Sequence, residues 1–208
     1  MTDRRSFKRL SAAEALSALY IDFEGRKDEP PVFLGVHRRG DHVQPDIVDD
    51  AFATMGESSM SLHASVEKVV RRAEKRDVRI VSWSEHDLNV VRTLGDEDPD
   101  LVSRFEARYA NARLVARRWR YWVHGGDQPD TGRLVDYLEL IDYEVPDDAG
   151  PGNVGNTIRD IRDRLQRSLE PTPGQRDRWD RLVEHNWHDC VGMRQICIVA
   201  TRELEAAL

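Results

Sequence analysis

An apolar run that carries two acids, YIDFEG at residues 20–25, restricts this chain more than any other segment. In a β-strand successive side chains alternate, so Asp22 and Glu24 share one face, about 7 Å apart along the strand, and Ile21 and Phe23 take the other. Two carboxylates side by side repel and raise each other's pKa. A strand that places them so needs either open water over that face, as at a sheet edge, or a positive charge that joins them, for which a divalent metal is the obvious candidate.

The 208 residues, 33% charged and 39% hydrophobic, suit one domain over 1–208 with a sizeable core. Residues 1–14 read as a flexible tail. The opening MTDRRSFKRL has no apolar core of a secretion signal, and no apolar run approaches the roughly 18 residues of a membrane span. A cytoplasmic setting away from membranes is expected. Cys190 and Cys197 fall on one predicted helix about 10 Å apart, too far to bridge, and read as reduced core thiols. A net charge of −7 argues against a nonspecific basic coat for nucleic acid but is compatible with an acidic metal site beside a local basic groove.

Alternation predicts a buried strand over 15–25, a second over 31–38 and a weaker third over 41–48, whose proline marks an edge. Leu62, Val66, Val69, Val70 and Ala73 then recur at helical spacing within 58–76, and VRIVSW at 78–83 reads as a central strand. The result is a βββαβ core. Helices are predicted over 86–95, 99–122, 131–143, 156–169 and 173–206, with 98–172 taken as a helical insertion region and no linker that separates two domains.

Further acids stand where this topology brings them toward the first pair. Asp87 follows the fourth strand and opens a helix, a position that also suits an acid on dipole grounds alone. His185 and Asp189 are four apart on the last helix and share a face, beside an apolar stripe of Cys190, Met193 and Ile196. Aspartate in mid-helix is locally unfavourable, which asks for a reason.

Taken in order, Asp22-x-Glu24, Asp87 and His185-x-x-x-Asp189 resemble the DEDD exonuclease superfamily of the ribonuclease H-like fold. The words IDFEG, WSEHDLNVV and HNWHDCVGMR are similar to those of predicted RecB-family, ribonuclease H-like nucleases, whose third motif reads aromatic or His, Asn, two residues, Asp-Cys. The resemblance spans residues 20–196 and implies an α/β mixed sheet with helices on both faces and a helix-rich C-terminal half. It implies a metal-dependent nuclease, a 3′→5′ exonuclease on single-stranded or frayed DNA or RNA, using two Mg²⁺ or Mn²⁺ ions about 4 Å apart. Asp22 would bridge the ions, Glu24 and Asp189 would hold the water-activating one, and Asp87 would hold the second through its water shell. His185 would serve as general base, with His188, Glu184 and His86 as neighbours that could substitute. Here this chain departs from the pattern, because the spacing of four belongs to the branch with Tyr at the base position.

A nuclease must also hold a polyanion. RFEARYANARLVARRWRYWVH at 104–124 combines six arginines with Tyr109, Trp119, Tyr121 and Trp122, and Arg117, Arg118 and Trp119 are the expected substrate contacts. A solvated helix face with tryptophans in the core is the alternative. The loop GPGNVGNT at 150–157 matches no phosphate-binding fingerprint and reads as a helix-capping loop, and Thr172-Pro173 reads as an N-cap and first-turn proline. Two other functions use the same residues: a noncatalytic nucleic-acid-binding or assembly module, and a metal-dependent endonuclease or phosphohydrolase. No protein partner is indicated.

Overall fold

Strand β1 (Leu19–Glu24) is the middle strand of a mixed sheet of order β3-β2-β1-β4-β5. The structure, a computed structural model, describes residues 9–26, 29–39, 44–125, 131–144 and 154–207. Strand β2 (Phe33–His37) pairs antiparallel with β1, and β3 (Asp46–Ile47) pairs antiparallel with β2. Strands β4 (Ile80–Ser82) and β5 (Tyr109–Asn111) continue the sheet in parallel on the other side of β1. This is the ribonuclease H-like topology, with helices on both faces.

The alternation in β1 separates two cores. Leu19, Ile21 and Phe23 pack with Val66, Val69 and Val70 of α2 (Leu62–Arg76), Leu88 and Val91 of α3 (Glu85–Arg92), and Leu101 and Phe105 of α4 (Pro99–Arg108). Tyr20, on the opposite face, packs with Val81, Ala110, Ala15 of α1 (Ala12–Ser17), and Cys190, Met193 and Cys197 of α8 (Pro173–Ala206). At 1.5 Å per residue α8 is about 50 Å long, long enough to cross the whole sheet face. Its first turns meet Phe33, Phe52 and Ile161 of α7 (Val154–Leu165) through Trp179 and Leu182. Its last turns meet Val115 and Trp119 of α5 (Ala112–Val123) and Tyr137 of α6 (Leu134–Leu138) through Ile196, Ala200 and Leu204.

Several boundaries differ from the sequence reading, each for a local reason. Residues 12–17 are helical rather than extended, and the polar tail is already folded there, because Ser11 and Glu14 form a reciprocal capping box. Helix α2 begins only at Leu62, since Ser58 and Met60 hydrogen-bond with the backbone of Ile47 and Ser61 is the N-cap. The predicted helix 99–122 is broken by β5, so the segment 98–172 carries a strand of the sheet and is not wholly helical. Asn111 explains the break: its backbone pairs with β4 and its side chain caps α5 at Leu114 N–H. The third strand keeps its edge position but shrinks to two residues, and 40–43 lie outside the described residues. The thiols of Cys190 and Cys197 are free and buried. No helix among the described residues is long and apolar enough to cross a membrane.

Candidate metal centre

Strand β4 stops at Ser82 while β1 runs on, so the end of β1 loses its parallel neighbour. The chain turns through Trp83 into α3, capped by Ser84, and Asp87 in its first turn reaches back so that its Oδ1 accepts the N–H of Phe23 at 3.2 Å. An acid from α3 thereby supplies the hydrogen bond that a longer β4 would have made.

From the other side α8 lowers a turn onto the same place. His185 Nε2 stands 3.6 Å from Asp189 Oδ2, and atoms of Glu24, His185 and Asp189 lie within 4.8 Å of one another. Between them, the buried Asn186 donates from Nδ2 to Asp22 Oδ2 at 2.7 Å and to the Asp22 carbonyl at 3.1 Å. The sheet makes room for this contact at Gly35, the register partner of Asp22, where a Cβ would overlap Asn186 Oδ1.

The electrostatics follow from crowding acids together, with Glu24 and Asp87 buried and Asp22 and Asp189 half-buried. Burial holds the Asp22 carboxyl well above its ordinary range, and Glu24, Asp87 and Asp189 push it the same way. Burial, then Asp189 and Asp87, raise Glu24 to about 8. Asp87 is raised by burial, against the opposing hydrogen bonds of Phe23 and Ser82. Asp189 is raised by burial and by Asp87, with His185 acting in the opposite direction. The Cys190 thiol is pushed up by burial first and then by the charges of Asp22, Asp189, Asp87 and Glu24.

Carboxylate oxygens are the donors that hard divalent ions take. Among the described residues, the charges that act most strongly on Asp22 and Glu24 are other carboxylates. Buried like charges with no cation between them are costly, and a divalent ion at Glu24 and Asp189, with Asp22 and Asp87 beside them, would remove that cost. The donor set therefore fits a metal.

The remaining predicted residues are distributed unequally. His86 is exposed at the start of α3. His188 is buried and meets Tyr143 OH at 3.1 Å through Nδ1 and Glu184 at 3.4 Å through Nε2, a contact set separate from the His185–Asp189 pair. Arg117 and Arg118 are exposed on α5. Trp119, expected as a stacking surface, is 1% exposed, packs in the core, and donates from Nε1 to Glu203 at 2.7 Å. It cannot stack on a base from there. Tyr121 and Trp122 are instead 64% and 66% exposed, with ring centroids 5.4 Å apart. Arg104 and Arg108 are engaged with Glu67, Glu74 and Asp77, and Arg120 is buried over Tyr137. Of the 150–157 loop, 150–153 lie outside the described residues and 154–157 begin α7. The sequence alone assigns no role to Asn186, Gly35 or Tyr143, although Asn186 is the Asn of the third motif.

Compared with protein-family models, with curated proteins and with solved structures, the chain gives no match.

Proposed function

We propose that this chain is a metal-dependent nuclease that cleaves phosphodiester bonds with two Mg²⁺ or Mn²⁺ ions held by Asp22, Glu24, Asp87 and Asp189, acting as a 3′→5′ exonuclease on single-stranded or frayed DNA or RNA. The observation that carries this reading is the grouping of Glu24, His185 and Asp189 atoms within 4.8 Å of one another at the end of β1 on a ribonuclease H-like sheet. What such ions supply when bound is a lowered pKa for water and stabilisation of negative charge on the scissile phosphate. The chain's own residues do the rest. Glu24 and Asp189 present oxygens at one point with His185 beside them. The His185 imidazole has a ring nitrogen that can accept the proton of the attacking water. Asp22 is held from behind by Asn186, and Asp87 is anchored to Phe23.

Arg117 and Arg118, with exposed Tyr121 and Trp122, are the proposed contacts for the rest of the strand. The Trp119–Glu203 bond aligns the end of α5 with a part of α8 about 21 Å along the helix from Asp189, so this surface would serve only substrates several nucleotides long.

The test is digestion of end-labelled single- and double-stranded DNA and RNA with Mn²⁺, Mg²⁺ or EDTA. A ladder that starts from one end and requires metal is expected. Binding without cleavage in Mn²⁺ would reassign the chain to a noncatalytic module, and cleavage unaffected by EDTA would remove the metal mechanism.

A further inference from the structure

Asn186 occupies a position that neither a metal ligand nor an ordinary core residue would need. It lies on the α8 turn between His185 and Asp189, and its amide nitrogen contacts two oxygens of Asp22, one on the backbone and one on the side chain. A primary amide has two N–H donors, which suffice for one bond to each. The amide oxygen end rests over Gly35 on β2, where any side chain would occupy the same space. One residue therefore touches β1 through its donors and needs a glycine on β2 for its seat.

We infer that Asn186 is a positioning residue: seated over Gly35, its amide fixes the rotamer of Asp22 and registers the His185–Asp189 turn of α8 on β1, so that the carboxylates are set for a divalent cation before one arrives. The inference rests on the metal-centre reading above. The residue type matches the task. An amide donates to a carboxylate oxygen without bringing a charge, so the negative charge that attracts the ion is preserved. A lysine or arginine would neutralise that charge. An alanine or leucine would leave the half-buried Asp22 Oδ2 without its donor, and Asp22 free to turn toward Glu24. Groups that orient metal ligands in this way characteristically change metal affinity or activity 10- to 100-fold when removed.

The experiment is calorimetric titration of Mn²⁺ into wild type, Asn186→Ala, Asn186→Ser and Gly35→Ala, with thermal melts of each without metal. Mn²⁺ affinity is expected to fall about 10- to 100-fold in Asn186→Ala, and Gly35→Ala should fall similarly although it removes no donor, because its methyl displaces the amide. In an Asp22→Asn background the Asn186→Ala change should add little, since the ligand it positions has lost its charge. Asn186→Ser carries the measurement if the alanine variant does not fold. A purely structural role would lower the melting temperature in every background while folded protein binds Mn²⁺ as wild type does, and that result overturns the inference. If wild type binds no Mn²⁺, the metal-centre reading falls and this inference with it, an outcome distinct from wild-type binding that Asn186→Ala leaves unchanged.

Discussion

The Asp87 carboxylate takes the hydrogen bond of the Phe23 N–H at 3.2 Å, at the place where β1 outruns β4. This acid therefore has two demands upon it, one from the sheet and one from the proposed ions. The two can be separated by substitution. Asp87→Asn keeps an oxygen that can accept from Phe23, whereas Asp87→Ala strands a buried donor at a cost of about 1–3 kcal/mol. Urea unfolding should show the alanine variant destabilised by that amount and the asparagine variant close to wild type or above it, with both variants inactive. Equal destabilisation of the two would mean that the charge of Asp87, and not its bond to Phe23, holds the sheet end together.

Without metal, the protein should lose stability as pH rises. Glu24 titrates at about 8 in the folded chain against 4.5 for an ordinary glutamate. Between those values the folded state binds more protons than the unfolded state. The stability linked to this group is fully present below 4.5 and is lost as pH rises through about 8. The raised values of Asp22, Asp87 and Asp189 act in the same direction. Apo melting temperature measured from pH 5 to pH 8.5 should fall, and Asp22→Asn, with one acid fewer, should flatten the decline and melt higher than wild type at pH 8. A flat or rising apo profile would show that the acids are not crowded as described.

Metal should reverse that slope. Because the ligands must ionise to bind, Mn²⁺ has to displace protons, and its stabilising effect should increase with pH. At 100 times its dissociation constant an ion that binds only the folded chain adds about 2.7 kcal/mol. Melts at pH 6 and pH 8 with and without millimolar Mn²⁺ test this, and the gain should shrink in Asp22→Asn. No Mn²⁺-induced shift at either pH would count against a metal centre.

His185→Ala should lower turnover by about 10²-fold or more while changing Mn²⁺ affinity little, the usual size of general acid–base assistance. Its distance of 3.6 Å from Asp189 also permits coordination, so the binding measurement discriminates. A large loss of Mn²⁺ affinity would make His185 a ligand. Unchanged turnover would pass the role of base to another group, with His188, backed by Tyr143 and Glu184, the first to examine.

On α5, replacing Arg117 and Arg118 by alanine, or Trp122 by alanine, should weaken binding of long single-stranded oligonucleotides and spare very short ones. Each lost phosphate contact should reduce the salt slope by about 0.7 on single strands. Trp119→Ala should instead cost about 3–5 kcal/mol of stability, as a buried tryptophan does. Filter binding across a length series, beside unfolding curves, separates the two. If short and long oligonucleotides lose affinity equally, the strand does not run along α5.

Much of this molecule was decided by local pattern. The alternation L-Y-I-D-F-E settled that β1 would be buried with both acids on one face, because a strand's period of two leaves no freedom in the matter. Thr172, Pro173 and Gln175 marked the start of α8 by satisfying its first N–H groups within four residues. The i, i+4 spacing of His185 and Asp189 announced a shared helix face for the same reason. What only the tertiary structure decided depends on partners distant in the chain. Strand β5 exists because β4 offers Tyr109–Asn111 a parallel edge, and that pairing overrides the helix propensity of its arginine-rich surroundings. Trp119 and Trp122 are three residues apart on one helix, yet α8 covers the first and leaves the second open. Asn186 reads as one more polar residue until Gly35, on a strand far away in sequence, is found to be the space into which it fits. Periodicity acts through neighbours a few bonds away and is visible in the sequence. Which surface covers a given face, and which glycine leaves room for which amide, is set by long-range packing that exists only once the chain has folded.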